Sequence, residues 1–597
     1  MTPTIITRRL PRLEKSTGIQ ITATIRPDLD TPPSEKKLRA KIKRLINAGT
    51  SHFRLNLSHF KPDDPNTLEK LKLSREEYES RWRELVRHID AVRAKLQVNV
   101  FIMIDTAGPE FRIERACTRR PDGAEEQLPA LVKKAEYLLS GDGTPQEPGR
   151  PTIYLNMPAG FKSFGPKVNG REISFKDGDC TAEVVSRISS TLLKIRVKHP
   201  LNLSGGHNIK ANFPGFELEG IHSVSARDRD HLVFFLKIPR TPRAPGEPAP
   251  RDEEFITIDY IAQSFVRDAK DISALDITLD TIEGIEKIDR PLIIPKIETA
   301  QAVEPETLKE IVKDVLTAAV MVARGDLGSE LKRWMVPSKQ RQIIRVAHSF
   351  LKPVLVATEV YGSMGKYPDD SWQPNRGEVL DLRHALEAGV DGIVFSAETG
   401  ARKKDPETTV EFAVQQAHLD EKDIEELDLH KAERDKRRER MEYGYDALLG
   451  HRARTPQPED PVPLETLPEF STMDWACAAV YRANIRRAAG IFPFTVSGNT
   501  VRDMVHFLPY RPIVALVDNR EPLARLALFA HVHPVLVEQV PDTFDVAELK
   551  DLVVAVIAKF GMGNLGGEAF ATMPHPVREA SGTDTLVRIL CDPAPCG

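Results

Sequence analysis

Eight apolar runs of strand length, set apart by charged amphipathic stretches, constrain this chain more than any other feature. The runs are Ile21–Ile25, His52–Leu57, Val98–Asp105, Phe255–Ile261, Leu292–Ile297, Ala319–Ala323, Pro353–Ala357 and Gly392–Phe395. A run that is apolar at odd and even positions alike fits a parallel strand buried on both faces. The stretches between them include Ser34–Ala48, Arg75–Leu96, Ser338–Ser349 and Gly377–Ala388, which have helical character. Eight such alternations predict an α/β chain built on a (β/α)8 TIM barrel. A doubly wound open sheet is the alternative, but no early Gly-x-Gly-x-x-Gly supports a dinucleotide site.

Reactive side chains gather at or just past the run ends: Asn56, Ser58, Asp105, Thr106, Lys296, Glu298, Asp326, Thr358, Ser396 and Glu398. In barrels of this class that end carries the active site. Two stretches stand out, Pro291-Leu-Ile-Ile-Pro-Lys296-Ile-Glu298-Thr299 and Ala318-Ala-Val-Met-Val-Ala-Arg324-Gly325-Asp326-Leu-Gly328. They bring two carboxylates and one ammonium to one rim, which suits a hard divalent cation beside a phosphate-binding charge. Taken singly, Glu298 also reads as a surface carboxylate and Asp326 as a helix cap. Lys296 leans further toward function, because an unpaired charge ending a buried strand is costly.

Between the third and fourth runs, Ala107 to Glu254 is too long for a crossover. Its short alternating segments, Thr152–Leu155, Glu183–Ile188 and Thr191–Val197, predict an all-β domain inserted over the barrel mouth. Pro239–Pro250 follows as a Pro-rich loop, and Asp420–Arg440 reads as an exposed charged helix leading into the Pro-rich linker Arg452–Pro468. From about Met473 a further α/β unit begins. Its Ser497-Gly-Asn-Thr500 after a strand is either an anion pocket at a helix start or an ordinary capped turn. The expected organisation is an N-terminal extension over 1–18, barrel over 19–112 and 213–418, β lid over 113–212, charged helix and linker over 419–470, and a C-terminal α/β domain over 471–597.

At 597 residues the chain is too long for one core. With 28% charged residues and a net charge of −4 it shows no footprint of a nucleic-acid or membrane partner. No apolar run approaches the roughly 20 residues of a membrane span, and Met1 to Arg12 lacks a secretion-signal core. Five scattered cysteines, none at metal-ligand spacing, suggest reduced thiols and a cytoplasmic setting.

Ordered motifs add a resemblance. Phe53-Arg54-Leu-Asn56-Leu-Ser58-His59, Ile104-Asp105-Thr106-Ala-Gly-Pro-Glu110-Phe-Arg112, Lys210-Ala-Asn-Phe-Pro and Ser264-Phe-Val-Arg267 come first. Pro295-Lys296-Ile-Glu298, Val322-Ala-Arg324-Gly-Asp326-Leu-Gly, Lys352-Pro-Val-Leu-Val-Ala-Thr358, Asn375-Arg376-Gly-Glu378-Val and Ser396-Ala-Glu398-Thr399 follow. In that order they resemble the pyruvate kinase family from about Ile21 to the C-terminus. The resemblance implies phosphoryl transfer from phosphoenolpyruvate to ADP, giving pyruvate and ATP, with Mg2+ (or Mn2+) and K+ as cofactors and a homotetramer as the assembly.

Carried over position by position, the resemblance makes Glu298 and Asp326 the divalent-metal ligands. Lys296, Thr358 and Arg54 become the catalytic groups, with Gly325, Asp326 and Ser396 beside the substrate. Asn56, Ser58, Asp105 and Thr106 would bind potassium, a dependence the family associates with Glu110. Arg54, Asn56, His59, Arg112 and Lys210 would face nucleotide phosphates. Arg267 and Arg376 are expected to pair with carboxylates at the rim, and His59 to act as a structural hydrogen-bonder. Arg26, Phe60 and Ala107 stand where the family has Gly, Gly and Lys, and the first two flank the nucleotide region. Two other readings are a related regulatory or binding protein without useful turnover, and a metal-dependent lyase or aldolase of phosphoenolpyruvate or pyruvate chemistry.

Overall fold

The computed structural model describes residues 5–590 apart from 8, 11–16, 30–32, 158–160, 177–178, 204–208, 217, 242–254, 286–289, 367–372, 401–404, 430–471, 508, 539–545, 563–566 and 574–584. The Arg452–Pro468 linker, most of the Pro239–Pro250 loop and the 430–440 part of the charged stretch lie outside the described residues.

Eight parallel strands close a barrel: β1 (Gln20–Thr24), β2 (His52–Asn56), β3 (Phe101–Asp105), β4 (Tyr260–Gln263), β5 (Leu292–Ile297), β6 (Val320–Ala323), β7 (Val354–Ala357) and β8 (Gly392–Phe395), which pairs back onto β1. Alternate residues serve two cores. Ile21, Phe53, Ile102, Ile261 and Val322 face the surrounding helices, while Met103, Tyr260, Ile294, Met321, Leu355 and Val394 fill the interior. That is why the runs are apolar on both faces. At Gly392 a Cβ would lie 2.6 Å from Gln20 Cβ and 2.8 Å from Leu355 Cδ2, so only glycine lets β8 close against β1 and β7.

The helices follow from capping and periodicity. Arg75–Leu96 starts at a Ser74–Glu77 capping box and carries Glu76 and Glu77 in its first turn and Arg93 and Lys95 in its last. It buries Tyr78, Trp82, Leu85, Val86 and Ile89 at helical spacing. The fourth strand departs from expectation. The run Phe255–Ile261 forms strand only from Tyr260, because Asp259 turns inward to receive the Ile102 N–H at 2.8 Å and Arg93 at 3.0 Å. The ladder therefore begins at Tyr260↔Met103.

Between β3 and β4 lies an eight-stranded sheet, largely antiparallel, that runs from Ile209–Asn212 through Glu172–Phe175, Cys180–Arg187, Leu192–Val197, Glu136–Ser140, Pro151–Asn156 and Phe111–Arg119 to Glu125–Gln127. Ile209–Asn212 also pairs with Phe111–Arg119, which curls the sheet around its own apolar core and sets Lys210 directly opposite Arg112. The lid is thus stitched at the two points where the chain leaves and re-enters the barrel.

Among its described residues the C-terminal unit carries two small sheets, Ile491–Pro493 with Glu568–Met573 and Thr585–Leu590, and Leu516–Val517 with Val535–Leu536. Its Leu526, Leu528 and Phe529 share one apolar cluster with the barrel interior. Among the described residues no helix is long and apolar enough to cross a membrane. Cys117, Cys180 and Cys477 are buried.

Candidate active site

The C-terminal ends of the strands carry a ring of charge beneath the lid. Lys296, on β5, is buried, and its ammonium lies 3.3 Å from Asp105 Oδ1 and 3.2 Å from Glu298 Oε2 while donating to Ser264 Oγ at 2.9 Å. Burial opposes its charge, but Asp105, Glu298 and Asp326 outweigh that and hold its pKa above the usual lysine range. It stays an ammonium throughout the physiological range.

Glu298 is fully buried, and its Oε1 accepts the Phe265 N–H at 2.6 Å. Its Oε2 faces Lys296 at 3.2 Å but has no directed hydrogen bond among the described residues. Desolvation pushes its carboxyl up to about 7, Lys296 pulling the other way and Asp326 adding repulsion. Asp326 forms an ion pair with Lys210, which reaches down from the lid. Burial works against the Asp326 anion, yet Lys210 and then Lys296 keep its pKa below the usual carboxylate range. A third carboxyl, Glu330, sits near both and is pushed up to about 7, chiefly by desolvation. Among the described residues no three His, Cys, Asp or Glu side chains form a ready metal cage. The rim instead offers separate carboxylates, of which Glu298 is short of donors.

Arg54 lies at the end of β2, almost fully buried, and its guanidinium binds Asp105 Oδ2 at 2.6 Å, Thr24 Oγ1 at 2.8 Å and Ser396 Oγ at 3.4 Å. Asp105, expected beside potassium, is thus already shared by Arg54, Lys296 and Ser264. Asn56 Oδ1 accepts the Ser58 N–H at 3.0 Å, Ser58 Oγ donates to Glu110 at 3.2 Å, and Thr106 Oγ1 accepts the Ser264 N–H at 3.0 Å. Glu110 in turn pairs with Arg112 at 2.9 Å. Arg267 pairs with Asp271 at 3.0 Å, whereas Arg376 is exposed at the start of its helix.

Thr358 and Glu359, just past β7, adopt φ of 67° and 55°, and Phe265 past β4 adopts 55°. A β-branched residue in the left-handed region is strained and persists only when its surroundings impose it. Here Arg324 grips the Thr358 carbonyl with two N–H groups at 3.1 and 2.7 Å and anchors its third nitrogen on Asp381. The Gly325 N–H donates to Thr358 Oγ1 at 2.8 Å.

The roles of three supporting residues escape a reading of the sequence. Ser264 links Lys296, Asp105 and Thr106. Asp228, fully buried, receives the Ala107 and Gly108 N–H groups at 3.0 and 3.2 Å, and its Ser225-x-x-Asp228 capping box was the only available signal. Arg324 is visible in its motif, but its grip on Thr358 is not. Phe60 turns away from the cleft into a cluster with Tyr78, Trp82, His231, Phe234 and Phe235, while Arg26 is exposed. The Tyr78 hydroxyl receives the Lys61 N–H and donates to the His59 carbonyl at 2.7 Å, fixing that loop. Partial desolvation, then Arg26 and Arg54, push the His59 imidazole down to about 4.

In the C-terminal unit, Gly498 takes φ of 82° and donates its N–H to Thr495 Oγ1 at 2.8 Å before the Asn499–His506 helix. The Asn499 N–H reaches Ser497 Oγ at 3.4 Å, and the helix carries no side-chain cap, so the Ser/Thr cap expected there is not formed.

Comparison with known proteins agrees with this architecture. Residues 250–410 match the family model "Pyruvate kinase, barrel domain" and residues 474–589 match "Pyruvate kinase, alpha/beta domain". A pyruvate kinase of Agrobacterium vitis is 27% identical over 570 residues, covering 95% of this chain and 97% of that protein. One from Thermotoga maritima is 26% identical, covering 92% and 95% respectively. A crystal structure of a pyruvate kinase from Cryptosporidium parvum superposes with a TM-score of 0.68 at 21% identity, over 97% of each chain, and carries the same fold. With the closed barrel, the inserted lid and both family domains in place along its length, this chain belongs to the pyruvate kinase family.

Proposed function

We propose that this protein is a phosphotransferase that moves the phosphoryl group of phosphoenolpyruvate to ADP, giving pyruvate and ATP as in the last step of glycolysis. The observation that carries the reading is the position of Lys296, a permanently charged ammonium at the barrel rim between Asp105 and Glu298, beneath a lid that contributes Lys210.

In this reaction the P–O bond to the enol oxygen breaks, a new one forms to the terminal ADP oxygen, and the enolate collects a proton on carbon. Lys296 stabilises the negative charge that spreads over the phosphoryl and enol oxygens. Arg54, held by Asp105 and Thr24, presents a guanidinium pre-aimed at phosphate. Thr358 is the residue proposed to stand near the enolate carbon and guide proton arrival, with Ser396 beside it. The Gly325 and Asp326 backbone would receive the substrate carboxylate. Lys210 and Arg112, paired across one lid ladder, and His59 and Asn56 on the barrel side, would frame the nucleotide phosphates.

Glu298 and Asp326 are the residues that would hold Mg2+ or Mn2+, and the donor-poor Glu298 Oε2 fits that part. Magnesium takes few carboxylates and completes its shell from water and phosphate, so two suffice. When bound, the cation neutralises charge on the transferring group. Potassium would be taken by Asn56, Ser58, Asp105 and Thr106, an all-oxygen set suited to a hard monovalent ion. A homotetramer and a cytoplasmic location belong to the same reading, supported by the family resemblance and by the scattered cysteines respectively.

The test is an assay of the purified protein with phosphoenolpyruvate, ADP, magnesium and potassium, following pyruvate. The reading expects turnover that disappears without magnesium and rises strongly on adding potassium to sodium-free buffer. A folded protein with no turnover would overturn it in favour of a binding or regulatory role.

A further inference from the structure

The turn that carries Thr358 is held at both ends. It runs from the end of β7 to the short Gly362–Lys366 helix, and two successive residues, Thr358 and Glu359, lie in the left-handed region at φ of 67° and 55°. Such a pair relaxes unless the chain on either side is fixed. Upstream the fixing group is Arg324 on the Thr358 carbonyl, itself anchored on Asp381. Downstream it is Tyr361. Its ring is fully buried against Phe395 of β8 and Phe412, at centroid distances of 5.8 and 5.6 Å, and its hydroxyl donates to Gln416 Oε1 at 2.5 Å.

The Gln416 amide has one orientation open to it. Its Nε2 donates to the Val379 carbonyl at 2.6 Å and to Asp420 Oδ2 at 3.1 Å, so the amide oxygen faces the phenol. Asp420 is held in turn by Arg383 at 2.8 Å. A buried phenol hydroxyl is costly without a partner, and an apolar ring would serve packing alone, so the hydroxyl supplies direction. The neighbouring Ser363 N–H donates to Glu378 Oε1 at 2.7 Å. Glu378, Val379, Asp381 and Arg383 all belong to the Arg376–Glu387 helix. One rigid element is thus the template for both ends of the turn.

We infer that Tyr361 is a positioning residue for the proton-transfer step, acting through Gln416 to fix the downstream end of the turn that presents Thr358. The inference rests on the proposed reaction, in which Thr358 guides a proton to the enolate carbon. Thr358 Oγ1 is aimed by the Gly325 N–H at 2.8 Å, and a small rotation of the turn would swing the hydroxyl off that line. Lys296, Arg54 and Asp326 stand at the ends of other strands and keep their places. The loss therefore falls on the proton step and largely spares phosphoenolpyruvate binding.

The experiment compares the full-length wild type, Tyr361→Phe, Gln416→Met and the double variant. Each is measured by steady-state kinetics and by exchange of pyruvate methyl protons with solvent, which involves no phosphoryl transfer. Tyr361→Phe keeps the ring and its packing, and is expected to lower kcat about fivefold with the phosphoenolpyruvate KM within about twofold. Exchange should slow by the same factor. Gln416→Met should match it, and the double variant should be no slower than the slower single one, because both remove the same link. A kcat and an exchange rate per folded molecule equal to wild type, with only the melting temperature lowered, would make the pair purely structural and overturn the inference. Losses that multiply in the double variant would overturn it too. If the wild type turns over phosphoenolpyruvate, either result removes the role of Tyr361 and leaves the reaction standing. A wild type that neither turns over nor exchanges removes both.

Discussion

The two ends of the barrel are made by the same eight strands and treat charge in opposite ways. At the N-terminal end every buried charge described is matched by several partners. Asp259 receives Arg520 at 2.6 Å, Arg93 at 3.0 Å and the Ile102 N–H at 2.8 Å. Asp391 receives the Val354 N–H at 2.9 Å, the Ala530 N–H at 3.0 Å and His348 at 3.0 Å. Arg520 and Ala530 come from the C-terminal unit, so these pairs lock it to the barrel. At the C-terminal end, Glu298 has an oxygen without a directed donor among the described residues, and Asp326 takes its direct ion pair from a lysine of the lid. One end is saturated for stability; the other keeps charge available to a ligand.

Four substitutions test that contrast. Lys296→Met should lower turnover by about 10²–10³-fold, the scale of losing one fixed stabilising charge, with phosphoenolpyruvate affinity changed only a few-fold. Steady-state kinetics with direct binding would check it, and unchanged turnover would remove the residue from the chemistry. Asp259→Ala should do the reverse. It removes the carboxylate shared by buried Arg93, which keeps Asp90 at 2.9 Å, and by Arg520, whose side chain is 48% exposed, a loss of roughly 1–3 kcal/mol in stability, with activity per folded molecule preserved. Urea unfolding beside active-site titration separates the two, and a stable but inactive variant would break the comparison.

Arg324→Lys sharpens the upper end. Lysine cannot present the two-pronged grip on the Thr358 carbonyl, so kcat should fall about tenfold, with the phosphoenolpyruvate KM nearly constant, as expected when a reacting group is misplaced. Exchange of pyruvate methyl protons with solvent should slow in parallel; if it does not, Thr358 is not positioned by Arg324.

The smallest effect belongs to His348. Burial disfavours its charge, but the Asp391 carboxylate outweighs that and raises its pKa above the usual value. A raised folded pKa stabilises below the unfolded value of about 6.5 and loses that advantage as pH rises through the folded one. The melting-point advantage over His348→Gln should therefore be largest near pH 6 and shrink toward pH 9. It should stay modest, because 38% of the side chain is exposed. A constant difference would mean that the pair contributes through packing alone.

Much of the scaffold could be read locally. Gly392–Phe395 and Arg75–Leu96 coincide with their observed elements because apolar periodicity and a Ser-x-x-Glu cap are written in neighbouring residues. The fourth strand starts five residues later than its apolar run, because Asp259 is drawn to Arg93 and Arg520, partners 166 and 261 positions away. Phe60 flanks the nucleotide region in the sequence, and only the packing of the Arg75–Leu96 and Ala226–Leu236 helices shows it buried among their aromatic rings.

What the sequence determined by itself is the alternation of buried strands and amphipathic helices, the interruption after the third strand, and the charged types waiting at the strand ends. These depend on periods of two and 3.6 residues, which any short window contains. Tertiary structure decided which charges meet. Lys210 reaches Asp326 across 116 residues, and Ser264 bridges Lys296 to Thr106. It also decided that Thr358 is held in a left-handed conformation by an arginine 34 residues before it. Such pairings depend on distance and direction after barrel closure, and electrostatic energies at those separations cannot be assigned before the chain has excluded water from between them.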